Sequence, residues 1–181
     1  MEEKKEVQEV TLEEIKKEVS NAQETAAKSG TRIQLIVFKL AGEEYALPID
    51  DIKEVVLTPG IAKIPQTPAY IKGVANIRGN IIAIMDMEER LNLVNKKNKA
   101  PGSYTLVIAS EQFKVGILVT EVPNTLRTYS TEIDKADNIM QFSELDKECI
   151  KGVVKDGERL IMLLDIFKIM EIEELNKIVN I

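Results

Sequence analysis

The 181-residue sequence contains no histidine, no tryptophan and a single cysteine, Cys149. Without histidine the chain cannot perform histidine phosphotransfer, cannot form Ser–His or Cys–His nucleophile pairs, and lacks a common ligand of transition metals. One cysteine cannot form an intrachain disulfide and no CxxC motif exists, which fits a reducing compartment. Aromatic residues make up only 4% of the chain, so its core must be mainly aliphatic.

Two further classes of partner are disfavoured by the charge balance and the hydrophobic pattern. The 24 Lys and Arg residues against 30 Asp and Glu residues give a formal net charge of -6. The chain therefore lacks the positive field that dominates binding to nucleic acids. No apolar run approaches the roughly 18 residues of a membrane span, and the charged N-terminus is unlike a secretory signal. We expect a soluble, cytoplasmic protein that neither binds nucleic acid nor inserts into a membrane.

Residues 1–30 form a charged N-terminal extension that differs from the rest of the chain. They contain eight glutamates, five lysines and few apolar residues. A capping-box pattern begins at Thr11, and Leu12, Ile15 and Val19 follow at helical spacing. Two interpretations are open: a flexible or partly helical solvated tail, or a helix that docks on the domain or on a partner.

Residues 31–181 read as a second unit that consists mainly of strands. Short apolar runs of five to seven residues are bounded by Gly, Pro, Asn, Asp or charged residues, and these lengths favour strands over helices. The C-terminus differs, because apolar residues recur there at helical spacings. Those residues are Ile166, Ile169, Met170, Ile172, Leu175, Ile178 and Val179. We predict a terminal amphipathic helix.

The sequence repeats itself once. Residues 71–87 align with residues 150–166 without a gap, and both copies begin with Ile-Lys-Gly-Val. Residues 40–49, upstream of the first copy, resemble residues 108–117, upstream of the second. We therefore interpret each successive half of the domain as one β unit. Each unit is too short for a sandwich, and two small barrels with a shared core would hide the strand edges. We predict an all-β fold of two pseudo-symmetric small barrels followed by a C-terminal helix.

No catalytic constellation emerges from the reactive residues. Asp86 and Asp165 occupy matching repeat positions, each after an apolar strand. They are interpreted either as N-caps of short helices or as a catalytic pair, which pseudo-symmetry would place in separate units. Cys149 has no histidine to activate it and reads as an inert thiol. Because no phosphate-binding glycine loop is present either, we predict no catalytic residue, no metal site and no cofactor.

What remains is a surface for binding another protein. Ile49, Ile52 and Val55 are spaced by three after Pro48, which suggests a helical turn with one apolar face. That face either packs on its own barrel or forms an exposed patch. Arg78 lies in the turn-like string NIRGN, where it is either a solvated residue or an interaction hot spot.

Residues 67–93, TPAYIKGVANIRGNIIAIMDMEERLNL, resemble the core signature of the CheW family. These adaptors link bacterial chemoreceptors to the histidine kinase CheA. Residues 38–55 and 151–170 fit the family's opening hairpin and closing segment, so the resemblance covers about residues 32–172. It implies two five-stranded SH3-like β-barrels. The same domain occurs in CheA and CheV, and we expect this chain to be the stand-alone adaptor, monomeric in isolation.

The resemblance also implies two contact surfaces. The chemoreceptor's cytoplasmic hairpin tip would lie against the groove between the barrels. The positions that match receptor-binding residues are Glu54, Gly73, Arg78, Gly116 and Val122. The regulatory domain of CheA would pack end to end against the first barrel, where Ile49, Ile52 and Val55 match the kinase contact. Thr125 replaces an aliphatic residue common in the second-barrel segment of the family, so we do not extend the receptor site past Val122.

The implied function is that of a non-catalytic scaffold in chemotaxis signal transduction, recruited from the cytoplasm to membrane-associated receptor arrays. Binding of two partners, rather than bond chemistry, would carry the signal. An adaptor of the same fold in another receptor–kinase pathway, such as surface motility, remains the alternative.

Overall fold

The computed structural model describes residues 30–93, 102–111, 113–135 and 149–170. The strands in these ranges are β1 Arg32–Leu40, β2 Glu43–Pro48, β3 Ile52–Leu57, β4 Ile71–Ile77, β5 Asn80–Met85, β6 Tyr104–Ala109, β7 Lys114–Val119, β8 Asn124–Tyr129, β9 Ile133–Asp134, β10 Ile150–Asp156 and β11 Arg159–Leu164. The short helices are α1 Met87–Arg90 and α2 Ile166–Met170, and the 3₁₀ turns are Ile49–Asp51 and Ser130–Glu132.

The strands form two sheets with matching strand orders. Sheet 1 has the order β8-β1-β2-β11-β10-β9, and sheet 2 has the order β3-β6-β7-β5-β4. In each sheet one parallel pair, β2 with β11 or β7 with β5, joins two antiparallel hairpins. Sheet 1 thus repeats the five-strand pattern of sheet 2 and adds the two-residue strand β9. The predicted all-β fold of two pseudo-symmetric five-stranded barrels is confirmed.

The grouping of the repeats differs from the order in which they occur along the chain. The hairpin β1–β2 pairs with β10–β11 from the other end of the domain, while β6–β7 pairs with β4–β5. Strands β3 and β8 also leave the hairpins that they follow, because β3 pairs with β6 and β8 pairs with β1. The prediction that each half in chain order forms one unit is therefore wrong. Each barrel combines segments from both halves, which ties the two barrels together.

Both faces of the central strands are buried, since each sheet has an interior and also contributes to a core between the sheets. In β1, Leu35 and Val37 face the interior of sheet 1, whereas Ile36 and Phe38 join the shared core. Sheet 2 has its own interior cluster around Ile84. Strand side chains alternate between faces, which explains this division. The shared core that we predicted is confirmed.

The motif repeated in the two halves is explained by packing and capping. The Asp86 carboxylate accepts a hydrogen bond from the Glu89 amide at 3.3 Å, and that of Asp165 accepts two amide hydrogen bonds at the start of α2. The repeated lysine approaches the repeated aspartate in both copies, with Lys72–Asp86 at 3.7 Å and Lys151–Asp165 at 3.9 Å. The N-cap interpretation of both aspartates is confirmed, and they follow strands of different sheets.

Helix α2 confirms the predicted C-terminal helix as a short element. Its residues Ile166, Ile169 and Met170 are buried in the shared core. The remaining positions predicted for this helix, from Ile172 onward, lie outside the described residues, as do residues 1–29. The thiol of Cys149 is buried in the shared core. None of the helices in the described ranges is long and apolar enough to cross a membrane.

Candidate protein-interaction surface

The turn between β4 and β5 presents Arg78 to solvent. Arg78 and Gly79 both have positive φ, +50° and +85°, as expected for a two-residue hairpin turn. The Gly79 amide donates a hydrogen bond to the Asn76 side chain at 2.9 Å, which closes the turn. A non-glycine residue in this left-handed region costs about 1–2 kcal/mol, and Ala41 in the β1–β2 turn carries the same strain.

Arg78 forms an ion pair with Glu54. Its Nε lies 2.5 Å from Oε2 of Glu54. The arginine side chain is 76% exposed and the glutamate side chain 19%, so the carboxylate lies behind the guanidinium. Glu54 belongs to β3 and Arg78 follows β4, the two outer strands in the order of sheet 2. The pair therefore bridges the two edges of the curled sheet and brings together two of the predicted receptor-contact residues.

Gly73 and Gly116 are buried, and internal packing explains both. A Cβ atom on Gly73 would lie 2.0 Å from the Ala62 carbonyl oxygen, and the φ of Gly73 is +138°. A Cβ on Gly116 would lie 2.6 Å from Cγ2 of Thr105 and 2.8 Å from Cδ1 of Ile84. The absence of a side chain makes room for the segment at Ala62 beside Gly73, and for side chains of sheet 2 beside Gly116. Direct contact of either glycine with a receptor stays a prediction.

Val122, the fifth predicted receptor-contact residue, is 60% exposed in the connection between β7 and β8. Its neighbour Glu121 pairs with Lys39 of β1 at 3.4 Å. Lys39 also lines a small crevice between the sheets, together with Leu40 of sheet 1 and Val119 of sheet 2. Val122 therefore lies beside the junction of the two barrels.

The predicted kinase-contact residues differ in exposure. Ile49 lies in the 3₁₀ turn Ile49–Asp51, and Ile52 begins β3; both are partly buried against the shared core. Val55 is 40% exposed on β3. The helical turn that the spacing of three predicted is confirmed for Ile49–Asp51, but Val55 belongs to a strand. Because the chain crosses to sheet 2 at this turn, Ile52 and Val55 lie on sheet 2 rather than on the barrel that contains β1 and β2.

Sequence reasoning missed Leu57, which is 71% exposed. It lies two residues after Val55 and so shares the outward face of β3, while Val56 packs against the interior of sheet 2. Strand alternation would have found it once residues 52–57 were recognised as a strand. We call Val55 and Leu57 the β3 apolar face.

The repeat supplies an internal comparison for this face. Val56 pairs with Thr105 in sheet 2, and Asn124 of β8 pairs with Val37 in sheet 1. Since Thr105 and Val37 are equivalent in the repeat, Leu57 corresponds to the residue after Asn124, which is Thr125. An exposed apolar residue at this place is therefore a property of sheet 2 and is not required by the barrel.

A carboxylate lies in an unfavourable setting in the 3₁₀ turn that links the sheets. Burial raises the pKa of Asp51, the nearby Lys151 opposes that shift, and the charges of Asp165 and Asp50 add to it. The buried Oδ2 of Asp51 has no hydrogen-bond partner among the described residues. Burial, and then the charge of Glu43, likewise raise the pKa of Tyr45 above its ordinary range. In the part of the chain that the structure describes, no group of acidic or cysteine residues could hold a metal ion.

Comparison with known proteins yields one family. The family described as CheW-like domain matches residues 34–174. The chain is 27% identical over 158 residues to the chemotaxis protein CheW of Treponema pallidum, covering 86% of the chain and 92% of that protein. Identity to the CheW of Thermotoga maritima is 28% over 147 residues, covering 81% and 93%. The crystal structure of the scaffolding protein TtCheW from Thermoanaerobacter tengcongensis matches with a TM-score of 0.72 and 27% identity, over 83% of the chain and 95% of that structure.

Proposed function

The chain belongs to the CheW-like domain family, and on that premise we propose that it is a non-catalytic scaffold that couples chemoreceptors to the histidine kinase CheA. In this proposal the protein is cytoplasmic, monomeric in isolation and recruited to membrane-associated receptor arrays by its partners. It has no cofactor, does not insert into the membrane and binds no nucleic acid.

The receptor contact is proposed to centre on Arg78 and the junction of the barrels. An exposed arginine beside a carboxylate and close to a barrel edge suits the polar groups of a coiled-coil hairpin tip, and arginine is enriched among interaction hot spots. Val122 adds an exposed apolar residue beside the crevice between the sheets. Glu54, Gly73 and Gly116 support this surface from behind, since all three are less exposed than Arg78.

The kinase contact is proposed to use Ile49, Ile52 and the β3 apolar face. The contrast between exposed Leu57 and its repeat equivalent Thr125 is the main support for this kinase contact. The barrel fold tolerates a polar residue there, so the apolar one is best explained by a partner that covers it. Ile49 and Ile52 continue the face towards the shared core.

The mechanism would be conformational. A scaffold that binds the receptor tip and the kinase's regulatory domain at once holds both in a fixed arrangement. A small movement of the receptor can then shift the equilibrium between active and inactive kinase, provided that the two states differ in their contacts with the scaffold. Several weak contacts within one array would add to each other by raising the local concentration of partners.

The substitution Arg78→Glu tests the receptor surface. We expect it to weaken binding of a soluble receptor hairpin-tip fragment by tenfold or more, about 1.4 kcal/mol. Binding of the kinase's regulatory domain should stay within about twofold of the unmodified protein, a change below ~0.5 kcal/mol. Arg159→Glu is the matched control, because Arg159 is a half-exposed arginine that pairs with a glutamate on sheet 1. Equal loss of both partners, or loss of cooperative melting, would remove Arg78 from the receptor surface.

A further inference from the structure

We propose that Glu54 is a positioning residue for Arg78 and does not itself touch the receptor. The inference rests on the proposed function, and it assigns the two residues different roles on the same surface. Glu54 holds the guanidinium by its Nε, and Arg78 alone presents hydrogen-bond donors to the partner.

The ion pair occupies one nitrogen of the Arg78 guanidinium. Oε2 of Glu54 accepts a hydrogen bond from Nε of Arg78 at 2.5 Å. Among the described residues, the Nη1 and Nη2 atoms of Arg78 have no hydrogen-bond or ion-pair partner. Guanidinium donors form a fixed planar fork, so occupation of Nε leaves the two terminal nitrogens available to a carboxylate or carbonyl outside the protein.

Glu54 and Arg78 also differ in exposure. The Glu54 side chain is 19% exposed and lies behind an arginine that is 76% exposed. A partner that approaches this edge of sheet 2 meets the arginine first. With Arg78 in place, only about a fifth of the Glu54 side chain is open to such a partner.

The second copy of the repeat lacks this ion pair. Position 78 corresponds to Gly157 in the second copy. The strand pairing that makes Val56 equivalent to Asn124 places Val122 opposite position 54, two residues earlier in each strand segment. The equivalent place on sheet 1 therefore has neither the arginine nor the carboxylate, and the barrel forms without the pair. The Arg78 backbone is already set by the turn, whose Asn76 side chain accepts a hydrogen bond from Gly79. What the turn leaves undetermined is the arginine's side-chain torsions, and these are what Glu54 restricts.

Restricting a long side chain before binding reduces the entropy lost on binding. Glu54→Ala should therefore weaken binding of the receptor hairpin-tip fragment by about threefold to tenfold, the effect of ordering one long side chain at an interface. Glu54→Gln should stay within about twofold, because its amide oxygen still accepts a hydrogen bond from Nε. A glutamate that touched a cation on the receptor would lose its contact in both variants.

The binding experiment is a titration of the full chain with a soluble coiled-coil fragment that contains the hairpin tip of a cognate chemoreceptor. Glu44→Ala is the matched control and should not change the affinity. The Glu44 side chain is 20% exposed and accepts a hydrogen bond from Arg159, and both residues lie on sheet 1. In the background of Arg78→Ala, Glu54→Ala should have no further effect. A Glu54→Gln loss as large as that of Glu54→Ala, or a full Glu54→Ala effect in the absence of Arg78, would overturn the proposal.

A second measurement needs no receptor. The ¹⁵N relaxation of the Arg78 Nε–H group in the free protein should report restricted motion in the unmodified chain and in Glu54→Gln, and fast motion in Glu54→Ala. Fast motion in the unmodified chain would overturn the positioning role. Restricted motion in a chain that does not bind the receptor fragment would support the role of Glu54 in ordering Arg78 while contradicting the proposed receptor coupling.

Discussion

The substitution Gly73→Ala distinguishes a glycine that shapes the fold from one that contacts a partner. The added Cβ would lie 2.0 Å from the Ala62 carbonyl oxygen and 2.7 Å from its carbon, and both are backbone atoms. The chain at Ala62 cannot remain where it is. Two hydrogen bonds of 2.8 Å that join Ala62 to Val74 would have to lengthen or break.

The size of the effect follows from two contributions. An L-residue at a φ of +138° adds strain of about 1–3 kcal/mol. Losing two backbone hydrogen bonds adds about 1–3 kcal/mol. Gly73→Ala should therefore lower the free energy of unfolding by about 2–6 kcal/mol, which for a domain of this size lowers the Tm by roughly 5–20 °C.

The assay is urea unfolding of the variant and of Gly60→Ala, followed by titration with the receptor fragment well below the Tm. Gly60 is a suitable control, because a Cβ there meets no atom within 4 Å; we expect a change within about 0.5 kcal/mol. An equally stable Gly73→Ala variant with reduced receptor affinity would refute the packing argument and indicate that Gly73 contacts the partner directly.

Two other substitutions test the 3₁₀ turn Ile49–Asp51 and the β3 apolar face. Asp51→Asn should raise the Tm at pH 7 by roughly 1–4 °C, because it removes a partly buried charge. Burial raises the folded-state pKa of Asp51, so the carboxylate's penalty is present near neutral pH. The advantage of the variant should vanish below the ordinary pKa of aspartate, and a constant advantage across that range would contradict the assignment. Leu57→Asp should weaken binding of the kinase's regulatory domain about tenfold, about 1.4 kcal/mol, whereas Thr125→Asp at the equivalent place on sheet 1 should not; isothermal titration calorimetry measures both, and equal effects would remove Leu57 from the contact.

Local patterns predicted the features that depend on neighbouring residues. The aspartate after each apolar run caps a short helix in both copies, as capping preferences predict. The apolar strands contribute to a shared core because their side chains alternate between two buried faces. These features recur in the two repeats, so that each copy supported the interpretation of the other.

The pairing of the sheets could not be predicted from the same patterns. Two similar copies of a hairpin have similar strand edges. The sequence of the β1–β2 hairpin therefore does not indicate whether the strand beside it comes from the same half of the domain or from the other half. Pairing between distant segments depends on the closure of the whole domain. This is also why Ile52 and Val55 lie on sheet 2, contrary to the interpretation by chain order.

The sequence indicated individual residues of the candidate site, but it did not indicate which of their side chains lie together. The family resemblance singled out both Glu54 and Arg78, yet nothing in a separation of 24 residues indicates that their side chains meet. It also singled out Gly73, whose explanation depends on the Ala62 carbonyl, a contact outside the repeated motif. Leu57 was missed because the spacing of three at Ile49 and Ile52 was extended into residues that form a strand.

The proposed scaffold binds a receptor and a kinase at the same time. The most direct measurement is a titration of labelled protein with the regulatory domain of its cognate CheA-type kinase, followed by addition of the receptor hairpin-tip fragment and determination of the mass of the complex. We expect saturable binding of both partners and a ternary complex that contains all three components. Displacement of one partner by the other, or no binding of either to a protein that melts cooperatively, would contradict it.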